Sequence, residues 1–126
     1  MRGAVVGCVV AVVLLAACGS STAPRNRSVT GAWQGTFAPE VDCQVFTFGL
    51  QQSGQSVGGS WRQSQCASGG GVGNPLASGT NLSGTDVSDS VNIVFGVTGV
   101  FIARLDASGD TLNGDLNNVS FFMTRQ

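Results

Sequence analysis

The chain predicts an all-β fold, an eight-stranded antiparallel up-and-down meander barrel behind a cleaved signal peptide. Three observations lead there. After residue 29 the sequence breaks into short apolar/polar alternations, the period of a half-buried strand, with no helical periodicity. Clusters of Gly, Ser, Asn and Asp punctuate these runs, and 19 of the 126 residues are glycine. The gaps between runs are mostly short, so successive strands are antiparallel neighbours, and eight of them can close without free edges.

The N-terminal stretch "MRGAVVGCVVAVVLLAACGSSTAP" lies outside that pattern. Arg2 is followed by an uncharged run from Ala4 to Ala17. This is shorter than the ~20 residues a helix needs to cross a ~30 Å hydrocarbon core. It fits the ~7–15 residue apolar core of a secretory signal. The run ends "LLAAC", which resembles the lipobox of bacterial lipoproteins. The resemblance implies that Leu15, Ala16 and Ala17 are read by the signal peptidase. Cys18 then becomes a lipidated N-terminus carrying a diacylglyceryl group, a site that takes up labelled palmitate. Cys8 lies in the apolar core and leaves with residues 1–17. Residues 18–29 are small, polar and Pro-containing, the composition of a flexible tether. Residue 19 is glycine rather than an acidic residue. By the same resemblance this carries no inner-membrane retention signal and points to the outer membrane of the cell envelope.

Residues 30–126 are enough for one small domain. Strand one is expected over Thr30–Ala38. The next seven are Cys43–Gln51, Gln55–Ser64, Ser78–Asp86, Ser90–Val97, Val100–Asp106, Asp110–Asn117 and Val119–Arg125. "LQQSGQSVGGSW" from Leu50 and "LDASGDTLNGDL" from Leu105 share a pattern of strand end, Ser-Gly turn and strand start.

Placing Gly54 and Gln55 at the centre of a type II′ turn sets Leu50 opposite Gly59, Phe48 opposite Trp61 and Cys43 opposite Cys66. The apolar set Phe46, Phe48, Leu50, Val57 and Trp61 then falls on one face, which a two-residue shift would also preserve while setting the cysteines diagonally. Cys43 and Cys66 become a structural disulfide across the hairpin ends, which an exported location permits. The same construction on Gly109 and Asp110 sets Leu105 opposite Gly114 and Arg104 opposite Asp115.

Alternation also predicts an inward set. Strand one sends in Trp33, Gly35 and Phe37, and strand five sends in Val91, Ile93, Phe95 and Val97. Strand six contributes Phe101, Ala103 and Leu105, and strand eight contributes Phe121, Met123 and Arg125. Val94, Val100, Ile102 and Phe122 should point outward.

"GAW" (Gly31, Ala32, Trp33) on the first strand, with Arg125 on the last, resembles the calycin superfamily, which includes lipocalins and avidins. The resemblance implies that Trp33 and Arg125 stack at a closed end and join the first strand to the last. It also implies one small apolar ligand at an open mouth. Avidins use a tyrosine for biotin, and this chain has none, so biotin is not implied.

Composition narrows the function classes. All six basic residues are arginines, scattered against seven Asp/Glu, for a net charge of −1. There is no basic stripe for nucleic acid. Histidine is absent, which removes the commonest metal ligand and general base. No C-x-x-C pair is present. The expectation is therefore a non-enzyme without metal or cofactor. The first function reading is a membrane-anchored envelope lipoprotein whose barrel takes a small apolar ligand. Phe48, Trp61, Phe95 and Phe101 would line the cavity, Gln44 and Gln63 would add polar contacts, and "CASGGGVGNPLASG" would form a mobile lid. The alternative is a filled barrel acting as a structural or interaction module, able to oligomerise through Val94, Val100 and Ile102 on the outer face of strands five and six.

Overall fold

Short alternating runs joined by tight turns can bury one face by pairing in sequence order and curling shut. A computed structural model, which describes residues 28–38 and 42–126, shows that outcome. The strands are β1 (Gly31–Phe37), β2 (Gln44–Ser53), β3 (Ser56–Cys66), β4 (Val72–Val87), β5 (Ser90–Phe95), β6 (Gly99–Leu105), β7 (Thr111–Leu116) and β8 (Val119–Arg125). They form one closed barrel in chain order. Cys18 and the cleavage residues Leu15, Ala16 and Ala17 lie outside the described residues.

The β2–β3 hairpin has the register its apolar pattern predicts. Phe48 faces Trp61 and Leu50 faces Gly59. Gly54 has φ 60° while Gln55 stays at negative φ, as a type II′ turn requires. Gly59, at φ 148°, lies so close to β2 that a Cβ would strike the Gly49 carbonyl. Cys43 and Cys66 are disulfide-bonded, with Cα atoms 5.5 Å apart.

The β6–β7 hairpin departs from its predicted register by two residues. Leu105 faces Leu112 and Ala103 faces Gly114, so Arg104 lies opposite Asn113 and Asp115 opposite Ile102. The cause is Asp106, which stands where the first hairpin has Gln51. Its carboxylate accepts hydrogen bonds from the Ser108 hydroxyl and from the backbone N–H groups of Gly109, Asp110 and Thr111. This wraps a longer turn closed by the Asp106–Thr111 backbone bond. An aspartate organising its own turn thus overrides the shared Ser-Gly signal. A two-residue shift leaves the faces unchanged, so the inward set survives.

The Gly-rich stretch is not a lid. Gly70 and Gly71, at φ 91° and 83°, reverse the chain after β3, and β4 starts at Val72 rather than Ser78. It pairs back on β3 through Cys66–Val72, Ser64–Pro75 and Gln63–Ala77. The register breaks on both sides of Pro75, which accommodates a residue without an N–H donor.

Inside, Trp33, Phe48, Phe101, Ile93, Leu112 and Met123 are fully buried, with Phe46, Phe95 and Phe121 nearly so. Val94, Val100, Ile102 and Phe122 are exposed on the outer wall. Val97 is the exception to the predicted parity. β5 ends at Phe95, Gly96 turns at φ 61°, and Val97 stands wholly in solvent.

Candidate functional site

The barrel has two unlike ends. One carries the start of β1, the end of β8 and the β6–β7 turn. There the Arg125 guanidinium carbon lies 4.4 Å from the centre of the Trp33 ring. Arg125 donates to the carbonyls of Thr30 (2.6 Å), Ser28 (3.1 Å) and Gly109 (2.9 and 3.1 Å). The planar fork of arginine suits this set of carbonyls, as a lysine ammonium would not. Val29 is fully buried here, and its carbonyl accepts from Trp33 Nε1 at 2.8 Å. Residues 28–30 thus plug this end.

The other end is open. Its cup has a volume of about 200 Å³ and is lined by Phe37, Phe46, Trp61, Phe95 and Leu116, with Gln44, Gln63, Asn117 and residues 96–99 at the rim. Two strand-borne devices shape it. Gln63 Nε2 donates to Gln44 Oε1 at 2.6 Å, tying β3 to β2. Trp61 Nε1 donates to Asn81 Oδ1 at 2.7 Å, and Asn81 Nδ2 reaches the Gly96 carbonyl. Gly79 makes room for the second device, because a Cβ there would sit 2.8 Å from Trp61 Nε1. The indole is therefore held at a fixed tilt across the wall of the cup.

Of the four aromatics expected to line a cavity, Trp61 and Phe95 do so. Phe48 and Phe101 lie beneath the cup. Phe48 meets Phe95 at 4.9 Å and Phe101 at 6.2 Å, and Phe101 meets Phe121 at 5.4 Å, all edge-to-face. These contacts fill the interior, as an eight-stranded barrel packed with large side chains should be filled. Asn81 and Asn117 were not singled out from sequence. Their signal is weak, a lone amide before an inward leucine and an Asn-Asn pair at a turn. Asn117 Oδ1 accepts from the Val100 N–H and fixes the β6 end of the rim.

The polar groups of the cup are the amides of Gln44, Gln63 and Asn117, the Thr98 hydroxyl, the Trp61 indole N–H and backbone, and no carboxylate is among the lining residues. Asp106 is held below the ordinary carboxylate range by the Ser108 hydroxyl first and then by backbone N–H donors. It belongs to the β6–β7 turn at the far end. Among the described residues, no three His, Cys, Asp or Glu side chains lie close enough to share a metal ion.

Fold and site together define a small closed meander barrel with a plugged end and a shallow aromatic mouth. Searches against protein-family models, curated proteins and solved structures find no match to this chain.

Proposed function

We propose that this protein is a lipid-anchored, non-catalytic binding barrel of the bacterial cell envelope, calycin-like in plan. Its mouth takes one small, mostly apolar group. The observation that carries this reading is the cup itself. It combines an aromatic wall braced by the Trp61–Asn81 bond with a polar rim built on the Gln44–Gln63 pair. At about 200 Å³ it falls below the ~300–1,000 Å³ of drug-sized sites. The ligand is therefore a compact ring or the end of a longer molecule, and the filled interior leaves no room for an acyl chain.

The lipobox-like "LLAAC" supports anchoring through Cys18. The tether would join the plugged end, with Cys18 at most ~36 Å from Ser28 at full extension. The mouth would then face away from the membrane. A second reading is a filled barrel acting as an interaction module, favoured by the close ring packing of Phe48, Phe101 and Phe121.

Native mass spectrometry of the protein purified from its own cells separates the two. The binding reading expects the lipidated chain plus one small molecule, absent from Thr98→Trp, whose indole fills the cup. A mass accounted for by chain and lipid alone overturns it. Labelled palmitate should enter the wild type and not Cys18→Ala; equal labelling overturns the anchor.

A further inference from the structure

β4 is sixteen residues long, but only its second part has strands on both sides. It pairs with β5 from Leu82–Phe95 to Val87–Ser90. From Val72 to Asn81 it pairs with β3 alone, and among the described residues no strand lies along its other edge. Side chains on both faces of this stretch are exposed, except those positions taken by the half-buried Gly73 and Gly79. Val72 and Leu76 are each nearly half exposed. The ribbon is therefore open on one edge and largely open on both faces, while the Cys43–Cys66 bridge and the Cys66 N–H to Cys43 carbonyl bond hold its base against β2.

Open edges in native sheets are usually blunted with lysine or inward charges. "VGNPLASGTN" has no charged residue, and its only blocking device is Pro75. A row of free backbone donors and acceptors in strand geometry is complementary to another strand. We propose that this edge pairs antiparallel with the same edge of a second copy of this chain, forming an isologous two-fold dimer. Three observations favour a second copy as the occupant. The segment is uncharged, so its self-pairing places no like charges opposite one another. It is held in extended form in every copy, so pairing costs little ordering. An added strand would also run on beyond the end of β5, where Val97 is wholly exposed and Val94 and Val100 are exposed on the adjoining wall. The interface would thus carry apolar contacts as well as backbone bonds. Pro75 removes one donor and favours a register in which it occupies a non-bonded pair.

Sedimentation equilibrium of the mature full chain in detergent tests this, with amide hydrogen exchange over residues 72–81. The expected result is a dimer that dissociates on dilution, with protection in 72–81 lost in parallel. Leu76→Lys and, separately, Ser78→Lys should weaken it at least ~10-fold. Each variant should keep the wild-type melting curve measured at monomer concentrations, and Ile102→Lys should leave the dimer intact. A monomer up to ~200 μM overturns the proposal, since a specific interface would associate well below that. So does a dimer that Ile102→Lys abolishes and the two edge variants do not.

Discussion

The barrel closes along its weakest seam, and Arg125 holds it there. β1 pairs with β2 over seven residues but with β8 over only two, Trp33–Arg125 and Gln34–Thr124. Beyond these, Gln126 N–H bonds the Ala32 carbonyl. Arg125 adds side-chain bonds across the seam to the Ser28 and Thr30 carbonyls, and it reaches the Gly109 carbonyl of the β6–β7 turn while covering Trp33.

Replacing Arg125 by alanine removes the charged donors and the stacked cation. Charge-assisted bonds contribute about 1.5–3 kcal/mol each when isolated, and the cation–π contact about 0.5–2 kcal/mol. The side chain is 28% exposed, so water re-solvates part of what is lost. Its ion pair with Asp110 spans 3.8 Å to a carboxylate that is 73% exposed, and adds little. The net expectation is a loss of about 2–4 kcal/mol. For a domain of this size that lowers Tm by roughly 10–25 °C. Arg125→Lys keeps a cation near the ring but loses the planar fork, so about half the loss should remain.

Urea unfolding gives the magnitude, and hydrogen exchange gives the location. Amides of residues 31–37 and 119–126 should lose protection first in Arg125→Ala, while β3 and β4 keep theirs. A loss below ~1 kcal/mol, or an Arg125→Lys variant as stable as the wild type, would refute this account of closure. Uniform deprotection across all eight strands would refute the localisation.

Three further outcomes follow from the same geometry. Cys43→Ser with Cys66→Ser releases a loop spanning a sequence separation of 23; urea midpoints should report about 2–4 kcal/mol lost, with residues 66–81 exchanging faster. At Gly35 a Cβ would meet the Phe122 carbonyl and lie 2.7 Å from the Phe121 ring; Gly35→Ala should cost about 1–3 kcal/mol through forced repacking, read as a Tm drop with an unchanged far-UV spectrum. The carboxyl of Asp106 sits below its ordinary 3.8, first through Ser108. Its contribution is therefore present above the unfolded value and lost as pH falls through the lower folded one. Asp106→Asn should lower stability at neutral pH, where the carboxylate's contribution is fully present, and flatten the profile below pH ~4 so that variant and wild type converge in acid; an unaltered acid limb would count against it.

Side-chain alternation has a period of two, so face assignments survive even where pairing is misread. That is why the inward set was legible from the sequence although the β6–β7 register was not. Reading that register required weighing one aspartate against a Ser-Gly turn signal, and the deciding hydrogen bonds form only once the turn closes. The opposite failure occurred at "CASGGGVGNPLASG". Its glycines and proline look like loop chemistry, yet β3 supplies a strand for it to pair with, and long-range pairing outweighs weak local propensity.

The candidate site divides along the same line. Trp61 and Phe95 could be picked out as inward aromatics. Their separation from Phe48 and Phe101 into wall and filling depends on depth along the barrel axis, which alternation does not encode. The amides of Asn81 and Asn117 matter only through partners distant in sequence, Trp61 and Val100.

By itself the sequence determined the all-β class, the order and number of strands, the inward face and the Cys43–Cys66 pairing. All of these follow from local periodicity and from a turn whose geometry lies within four residues. Only the tertiary structure decided how deep the mouth is, how Arg125 spans the seam, and that β4 runs past its neighbour to leave an open edge. These depend on where the ends of separate strands fall against one another once the sheet has curled shut.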